Sequence, residues 1–175
     1  MYWKNIAVTS GHCIYNGDRG GWATSIVVRP AANGYFCPYG TSNATELHSA
    51  KKWVNNGDSG YDYGVIVLSN DIGNSTGWFG TIWRSWSLVG YNVTVAGYPG
   101  ECFRQMFKMS GQISRSTTRK VYYQIDTTAG QSGSPVYNAD GYVYAIHTTG
   151  ETLYGNGGAR ITKSLFRFLQ SFRQT

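Results

Sequence analysis

The sequence predicts an all-β fold, and three observations carry that expectation. Of the 175 residues 41% are hydrophobic and 15% aromatic, enough for a packed core in one domain or in two small ones sharing an interface. Only 14% are charged, whereas glycine, serine, threonine, asparagine and tyrosine abound, a composition suited to short strands and many turns. Short β-type runs recur between turn signals such as NG, DG and PG, the rhythm of a barrel or a sandwich.

In chain order the runs are IAVTS (6–10), SIVVRP (25–30), YGVIVLS (63–69), YNVTVAGY (91–98), KVYYQID (120–126) and GYVYAIHTT (141–149). The third is the most apolar and reads as a buried strand. Helix signals are scarce until the tail. There Ile161, Leu165, Phe168, Leu169 and Phe172 fall at helical spacing with Lys163, Arg167 and Arg173 between them, predicting a helix from about residue 162. A terminal helix docking that stripe on the core is preferred over a basic amphipathic helix lying on a membrane. No repeat of fixed period is present.

Composition also excludes function classes. The net charge is +6 and the pI about 9.3. The basic residues are scattered, apart from short groups such as Lys51-Lys52 and Arg119-Lys120, and no zinc-finger or RNP-like motif accompanies them, so nucleic acid is not an expected partner. Cys13, Cys37 and Cys102 lack the paired spacing of a zinc site; no metal or other cofactor is expected. An odd number leaves at least one thiol without a partner, and Cys13 with Cys37 is the only local pairing worth proposing. MYWKNIAVTS has no basic and apolar signal-peptide pattern, and no 18 apolar residues run together, so neither signal peptide nor membrane span is expected. That leaves the compartment open, because a mature or excised segment reads the same way. The sequons at Asn43, Asn74 and Asn92 are at chance level in so Asn-, Ser- and Thr-rich a chain.

The chemistry turns on DTTAGQSGSPVY (126–137) and on GDSG (57–60), each holding a serine among small residues. A serine hydroxyl is a poor nucleophile until a histidine takes its proton and a carboxylate holds that histidine in the right tautomer. His12 stands at the end of the first β-run, where a base belongs; His48, among polar neighbours, reads as a surface histidine; His147 lies on a strand. Asp62 opens the most apolar strand, at the edge of a core where a carboxylate needs a partner such as a histidine N–H. Ser59 lies only three positions before Asp62 and would crowd it. In AGQSGSP the glycines permit a tight backbone in which the N–H groups of Gly130 and Ser132 converge on one point, an oxyanion hole. Ser132 is therefore the candidate nucleophile, and Ser134, leading into the next strand, a weaker one. His12, Asp62 and Ser132 follow the order His, Asp, Ser.

TSGHC, DYGVIVL and GQSGSPVY together resemble the trypsin-like serine proteases, and more narrowly the bacterial glutamyl endopeptidases. GYPG (97–100), AIHTTG (145–150) and GGARITK (157–163) extend the resemblance over nearly the whole chain. It implies two six-stranded antiparallel β-barrels with the site in the cleft between them and a C-terminal helix, with His12 as base, Asp62 as its orienter and Ser132 as nucleophile. It also implies that His147 and Thr127 bind the carboxylate of a substrate glutamate, which both can do as donors. Asp126 pulls the other way: it lies six residues before Ser132, the offset at which trypsin keeps the aspartate that selects Arg and Lys.

Two departures matter. Eleven residues precede His12, about one strand at ~3.3 Å per residue, so the first barrel (1–82, carrying His and Asp) is expected to be incomplete. The second barrel (83–175) carries Ser132, the pocket and the tail helix. Gln131 stands where an aspartate would receive a newly made N-terminus, so activation of that kind has no partner. The expected protein is a secreted bacterial serine endopeptidase, a monomer acting on polypeptides and cutting after Glu or Asp. The alternatives are specificity for Arg or Lys, and a non-catalytic or inactive form of the same fold.

Overall fold

The computed structural model describes residues 1–173. The N-terminal half holds β1 (Ile6–Thr9), a small ribbon of β2 (Tyr15–Asn16) and β3 (Gly21–Trp22), then β4 (Val27–Val28), β5 (Ser42–Ser49), α1 (Lys51–Asn56), β6 (Gly64–Leu68) and α2 (Gly73–Thr76). The apolar run after Asp62 becomes β6, an inner strand of a four-stranded antiparallel sheet in the order β1-β6-β5-β4. Val65, Ile66 and Leu68 of β6 are all buried, which is why its sequence is continuously apolar rather than alternating. β1 and β4 end the sheet without pairing to each other, so this barrel is open.

The second sheet comprises β7 (Gly80–Thr81), β8 (Asn92–Gly97), β9 (Phe107–Ser116), β10 (Lys120–Tyr123), β11 (Pro135–Tyr137), β12 (Tyr142–Thr152) and β13 (Gly155–Arg160). Its order is β11-β8-β9-β10-β13-β12, and β11 also pairs with β12, closing a six-stranded barrel to which β7 adds in parallel on β12. Closure leaves no unpaired edge within the ring. β8 and β10 alternate buried and exposed residues, so Val93, Val95, Val121 and Tyr123 point inward with Ile113 and Val136.

Between the sheets Tyr2, Ile6, Val65, Ile146 and Ile161 form a shared core, and the tail completes it. α3 (Lys163–Ser171) begins at Thr162, whose hydroxyl accepts from Leu165 N–H at 3.1 Å, and buries Leu165 and Leu169 one turn apart. The expected helix therefore docks its stripe on the core. No helix among the described residues is long and apolar enough to cross a membrane.

The expected architecture is present: a closed barrel, an incomplete first barrel and a C-terminal helix. Besides the two-residue strands β2, β3 and β7, three longer strands escaped the sequence reading. β5 (SNATELHS) is too polar, β9 (FKMSGQISRS) too mixed and β13 (GNGGAR) too glycine-rich to announce a strand. The Cys13–Cys37 pairing is not formed, and all three cysteines are free. Instead the Cys13 thiol takes a hydrogen bond from the Ser10 hydroxyl at 3.0 Å, which fixes it beside its own turn.

Truncating Leu169→Ala empties a fully buried site and should cost ~2–5 kcal/mol in urea unfolding. Arg167→Ala, on the exposed face of the same helix, should stay within about 0.5 kcal/mol.

Candidate active site

Strand register brings the first two residues together. β1 and β6 run antiparallel with Thr9 opposite Gly64, so three residues beyond Thr9 and two before Gly64 the chain necessarily faces itself. After Thr9 it enters a 3-10 turn, Gly11–Cys13, which turns His12 toward Asp62. The His12 backbone N–H donates to Asp62 Oδ1 at 2.8 Å, and His12 Nδ1 lies 2.8 Å from Asp62 Oδ2. A carboxylate has no proton to give, so Nδ1 carries one, and Nε2 is the nitrogen that gains and loses its proton as His12 titrates. Gly11 allows the approach: a Cβ there would lie 2.8 Å from the Trp53 ring and 3.0 Å from Asp62 Oδ1.

Asp62 is buried at 3% exposure and the His12 side chain retains 32%, so the base is reachable and its orienter is not. The Asp62 hydrogen bond, seconded by the Cys13 thiol and opposed by burial, holds the His12 pKa well above the ordinary histidine value. Burial raises the Cys13 pKa, but bonds from His12 and Ser10 outweigh it and leave the thiol more acidic than usual.

The Ser132 loop is held by its neighbours. Gln131 is buried, its side-chain oxygen accepts from Thr128 N–H at 2.8 Å, and its main chain bonds Thr128 and Ser134. The residue that breaks the aspartate pattern thus braces the loop from inside. Gly133, at φ +87°, lies so close to Thr9 and Ser10 that a Cβ would come within 3.2 Å of Ser10 N. Ser132 is thereby seated against the segment that delivers His12. The N–H groups of Gln131, Gly133 and Ser134 reach carbonyls of Thr128, His147 and Gln131. Those of Gly130, at φ +99°, and Ser132 have no acceptor among the described residues.

Two further bonds stitch this loop to β12: Gly133 N–H to His147 O and His147 N–H to Ser134 O, both 2.8 Å. His147 is 3% exposed, and the Tyr123 hydroxyl lies 2.7 Å from its Nδ1. Burial pushes the Tyr123 pKa far up, so the phenol keeps its proton and can donate it to Nδ1 in the tautomer whose proton is on Nε2. Burial first, then the charge of His12, lower the His147 pKa to about 4, with the Gly157 carbonyl acting in the opposite sense. Thr127 Oγ1 is buried without a partner, as are Thr148 Oγ1 and Thr149 Oγ1. Asp126, by contrast, is exposed.

Of the sequence candidates, His12 and Asp62 are bonded, and Ser132 and His147 are tied through Gly133 and Ser134. Among the described residues Thr127 Oγ1 makes no hydrogen bond to His147. Ser59 is exposed in a 3-10 turn, and His48 pairs with Glu46 at 2.9 Å on the surface. The roles of Tyr123, Gln131 and Gly11 were not read from sequence, since each depends on a contact across the fold. A cavity of about 780 Å³ touches Gly130 and Ser132 but not His12, Thr127 or His147. Its lining includes Ala7, Val8, Val28 and Tyr39 of the N-terminal half and Ala96, Pro135 and Ile146 of the closed barrel. Among the described residues no three His, Cys, Asp or Glu side chains converge where they could hold a metal ion.

A serine loop with two unbonded N–H groups beside an aspartate-held histidine is the arrangement of a nucleophilic hydrolase site. The trypsin-like peptidase domain model matches residues 2–146, and the chain belongs to that family. It is 41% identical to a glutamyl endopeptidase of Bacillus licheniformis over 98% of this chain and 57% of that protein. An extracellular metalloprotease of Bacillus subtilis is 40% identical over 95% of this chain and 54% of that protein. The chain therefore spans little more than half the length of these two relatives. A solved Glu endopeptidase in complex with MPD superposes with a TM-score of 0.94 at 29% identity, covering 100% of this chain and 84% of that one. A protease of Arthrobacter nicotinovorans, at 20% identity and TM-score 0.79, shares the fold.

The two histidines should titrate in opposite directions from ~6.5. In NMR titrations His12 should stay protonated well above that value and drop toward it in Asp62→Asn, whereas His147 should remain neutral down to about pH 4. Because His147 binds fewer protons folded than unfolded, its contribution to stability is full above ~6.5 and lost as pH falls toward about 4. Replacing His147 with Gln should flatten that slope in denaturant titrations.

Proposed function

We propose that the chain is a serine endopeptidase that cleaves after glutamate through an acyl-enzyme. The observation that carries the reading is the bidentate His12–Asp62 contact next to a serine loop whose Gly130 and Ser132 N–H groups are free. In this scheme Ser132 Oγ attacks the scissile carbonyl while His12 Nε2 takes its proton. The oxyanion forms against the Gly130 and Ser132 N–H groups. His12 then gives the proton to the departing amine, and a water, deprotonated by the same nitrogen, releases the acid and restores the serine. Asp62 orients the imidazole and steadies its charge throughout.

Specificity for glutamate rests on His147 and Thr127. His147 presents a neutral ring whose proton is on Nε2, and Thr127 has a buried hydroxyl lacking a partner, so both are donors for a substrate carboxylate. The exposed position of Asp126 disfavours selection of Arg or Lys, since it does not form the floor of a buried pocket. The two Bacillus relatives point to polypeptide substrates, and the name of the second to action outside the cell. Among the described residues no cluster of His, Cys, Asp or Glu fits the metal in that second name. The half-barrel (1–82) would contribute base and orienter, and the closed barrel nucleophile and pocket.

Fluorophosphonate should label the protein at Ser132, and Ser132→Ala should abolish labelling; a folded protein that does not label contradicts the reading. Among peptides differing only before the cut bond, Glu should exceed Gln, Arg and Phe by about tenfold or more in kcat/KM, ~1.36 kcal/mol per decade. A preference for Arg would transfer specificity to Asp126. Asp62→Asn, which keeps the shape but not the tautomer, should lower kcat by ~10⁴-fold. Activity should rise with pH as His12 loses its proton, with an inflection alkaline of ~6.5.

A further inference from the structure

A cationic cluster lies one residue away from the candidate site. Tyr61 directly precedes Asp62; the Arg119 guanidinium lies 4.0 Å and the Lys52 ammonium 5.0 Å from the centre of its ring. Arg119 runs flat along the chain here: a Cβ on Gly60 would be 3.1 Å from its Cβ and Cδ. Lys120, the next residue of the β9–β10 hairpin, has its pKa lowered by burial, against the opposing pull of Asp62 and Asp58. Among the described residues none of these three cations has a carboxylate within ion-pair distance. The nearby acids are engaged: Asp58 Oδ1 accepts from Gly60 N–H at 3.0 Å, and both Asp62 oxygens take His12. Lys52 is exposed, and Arg119 and Tyr61 are half-buried, so the cations face solvent over an aromatic floor.

The position follows from packing. The 3-10 turn Ser59–Tyr61 lies against β13, whose Gly157 and Gly158 adjoin His147. The cluster therefore sits one residue from Asp62 and on a turn that lies against the strand paired with His147.

We propose that Arg119 and Lys52, over Tyr61 and backed by Lys120, form a second acidic-residue subsite, taking an Asp or Glu two to four residues before the cut bond. The inference rests on the reading of the site as a glutamate-selective peptidase and extends it: the favoured substrates are acidic clusters rather than isolated glutamates. Attraction at such half-exposed charges is modest and salt-sensitive.

Peptides sharing one Glu before the cut and carrying Glu, Gln or Lys at each of the three upstream positions test it. At about 0.1 M salt the Glu peptide should exceed the Gln peptide about three- to fivefold in kcat/KM at one of those positions, with Lys lowest. The gap should shrink at about 1 M, where the Debye length is ~3 Å. In the Arg119→Gln, Lys52→Gln double variant the ranking should flatten while the Gln peptide is cut at its original rate. A flat ranking in the parent protein, or one that survives in the double variant, overturns the subsite. The same peptides bound to Ser132→Ala give the ranking as Kd without turnover, so a failure of the peptidase reading, seen as no cleavage of any peptide, is distinguishable from a failure of the subsite.

Discussion

The pairing of β1 with β6 is the constraint on which the site depends. With Thr9 opposite Gly64, the chain ends that emerge from these two strands have nowhere to go but toward each other, and His12 and Asp62 meet there. A shift of register by one residue would turn Val65 and its neighbours outward and carry Asp62 away from the imidazole. The same hydrophobic pattern that stabilises the half-barrel therefore sets the tautomer of the base. Because β1 is an end strand of its sheet, this registration relies on one neighbour only, and the packing of Gly133 onto Thr9 and Ser10 supplies support from the other barrel.

Burial acts on the two inner histidines with opposite results, and the difference lies in their partners. His12 faces a carboxylate, so its charged form is stabilised despite partial desolvation. His147 faces a phenol, which offers a proton rather than a charge, and desolvation wins. One imidazole is prepared to accept a proton, the other to present one. A substrate carboxylate arriving at His147 would bring the missing negative charge into a site where Tyr123 and the neutral ring have left none, which is a physical basis for discrimination against an uncharged side chain.

Legibility in the sequence followed the range of the interaction. β6 and α3 were visible because continuous apolarity and a 3.6-residue stripe are local signals, and His12, Asp62 and Ser132 because their immediate neighbours have the right shape. Tyr123 was passed over as one more strand residue: nothing within KVYYQID tells that its hydroxyl crosses the barrel to His147. Gln131 was read as a missing aspartate, yet in the fold its side chain is the internal brace of the loop, a role set by Thr128 rather than by any distant terminus. The proposed disulfide failed because proximity in sequence says nothing about where a thiol points; Cys13 is turned toward Ser10.

β13 shows why some strands are hidden by the function they serve. GNGGAR has almost no β-propensity, and yet it is an inner strand of the closed barrel. A Cβ on Gly158 would lie 2.5 Å from the Ile146 carbonyl oxygen, and one on Gly157 would meet the Val121 carbonyl and the Tyr122 ring at 3.0 Å. Its partner β12 carries His147 opposite Gly158, and the missing side chain lets the two backbones lie this close. Glycine weakens the strand by leaving nothing to pack, so closure of the barrel on both sides, by β10 and β12, has to hold it in place. Arg160 at its end adds to that hold: its guanidinium donates to the carbonyls of Arg84, Trp86 and Thr117 and to the Ser116 hydroxyl. The barrel is thus closed through a strand almost without side chains, whereas the sheet that His12 and Asp62 adjoin remains open.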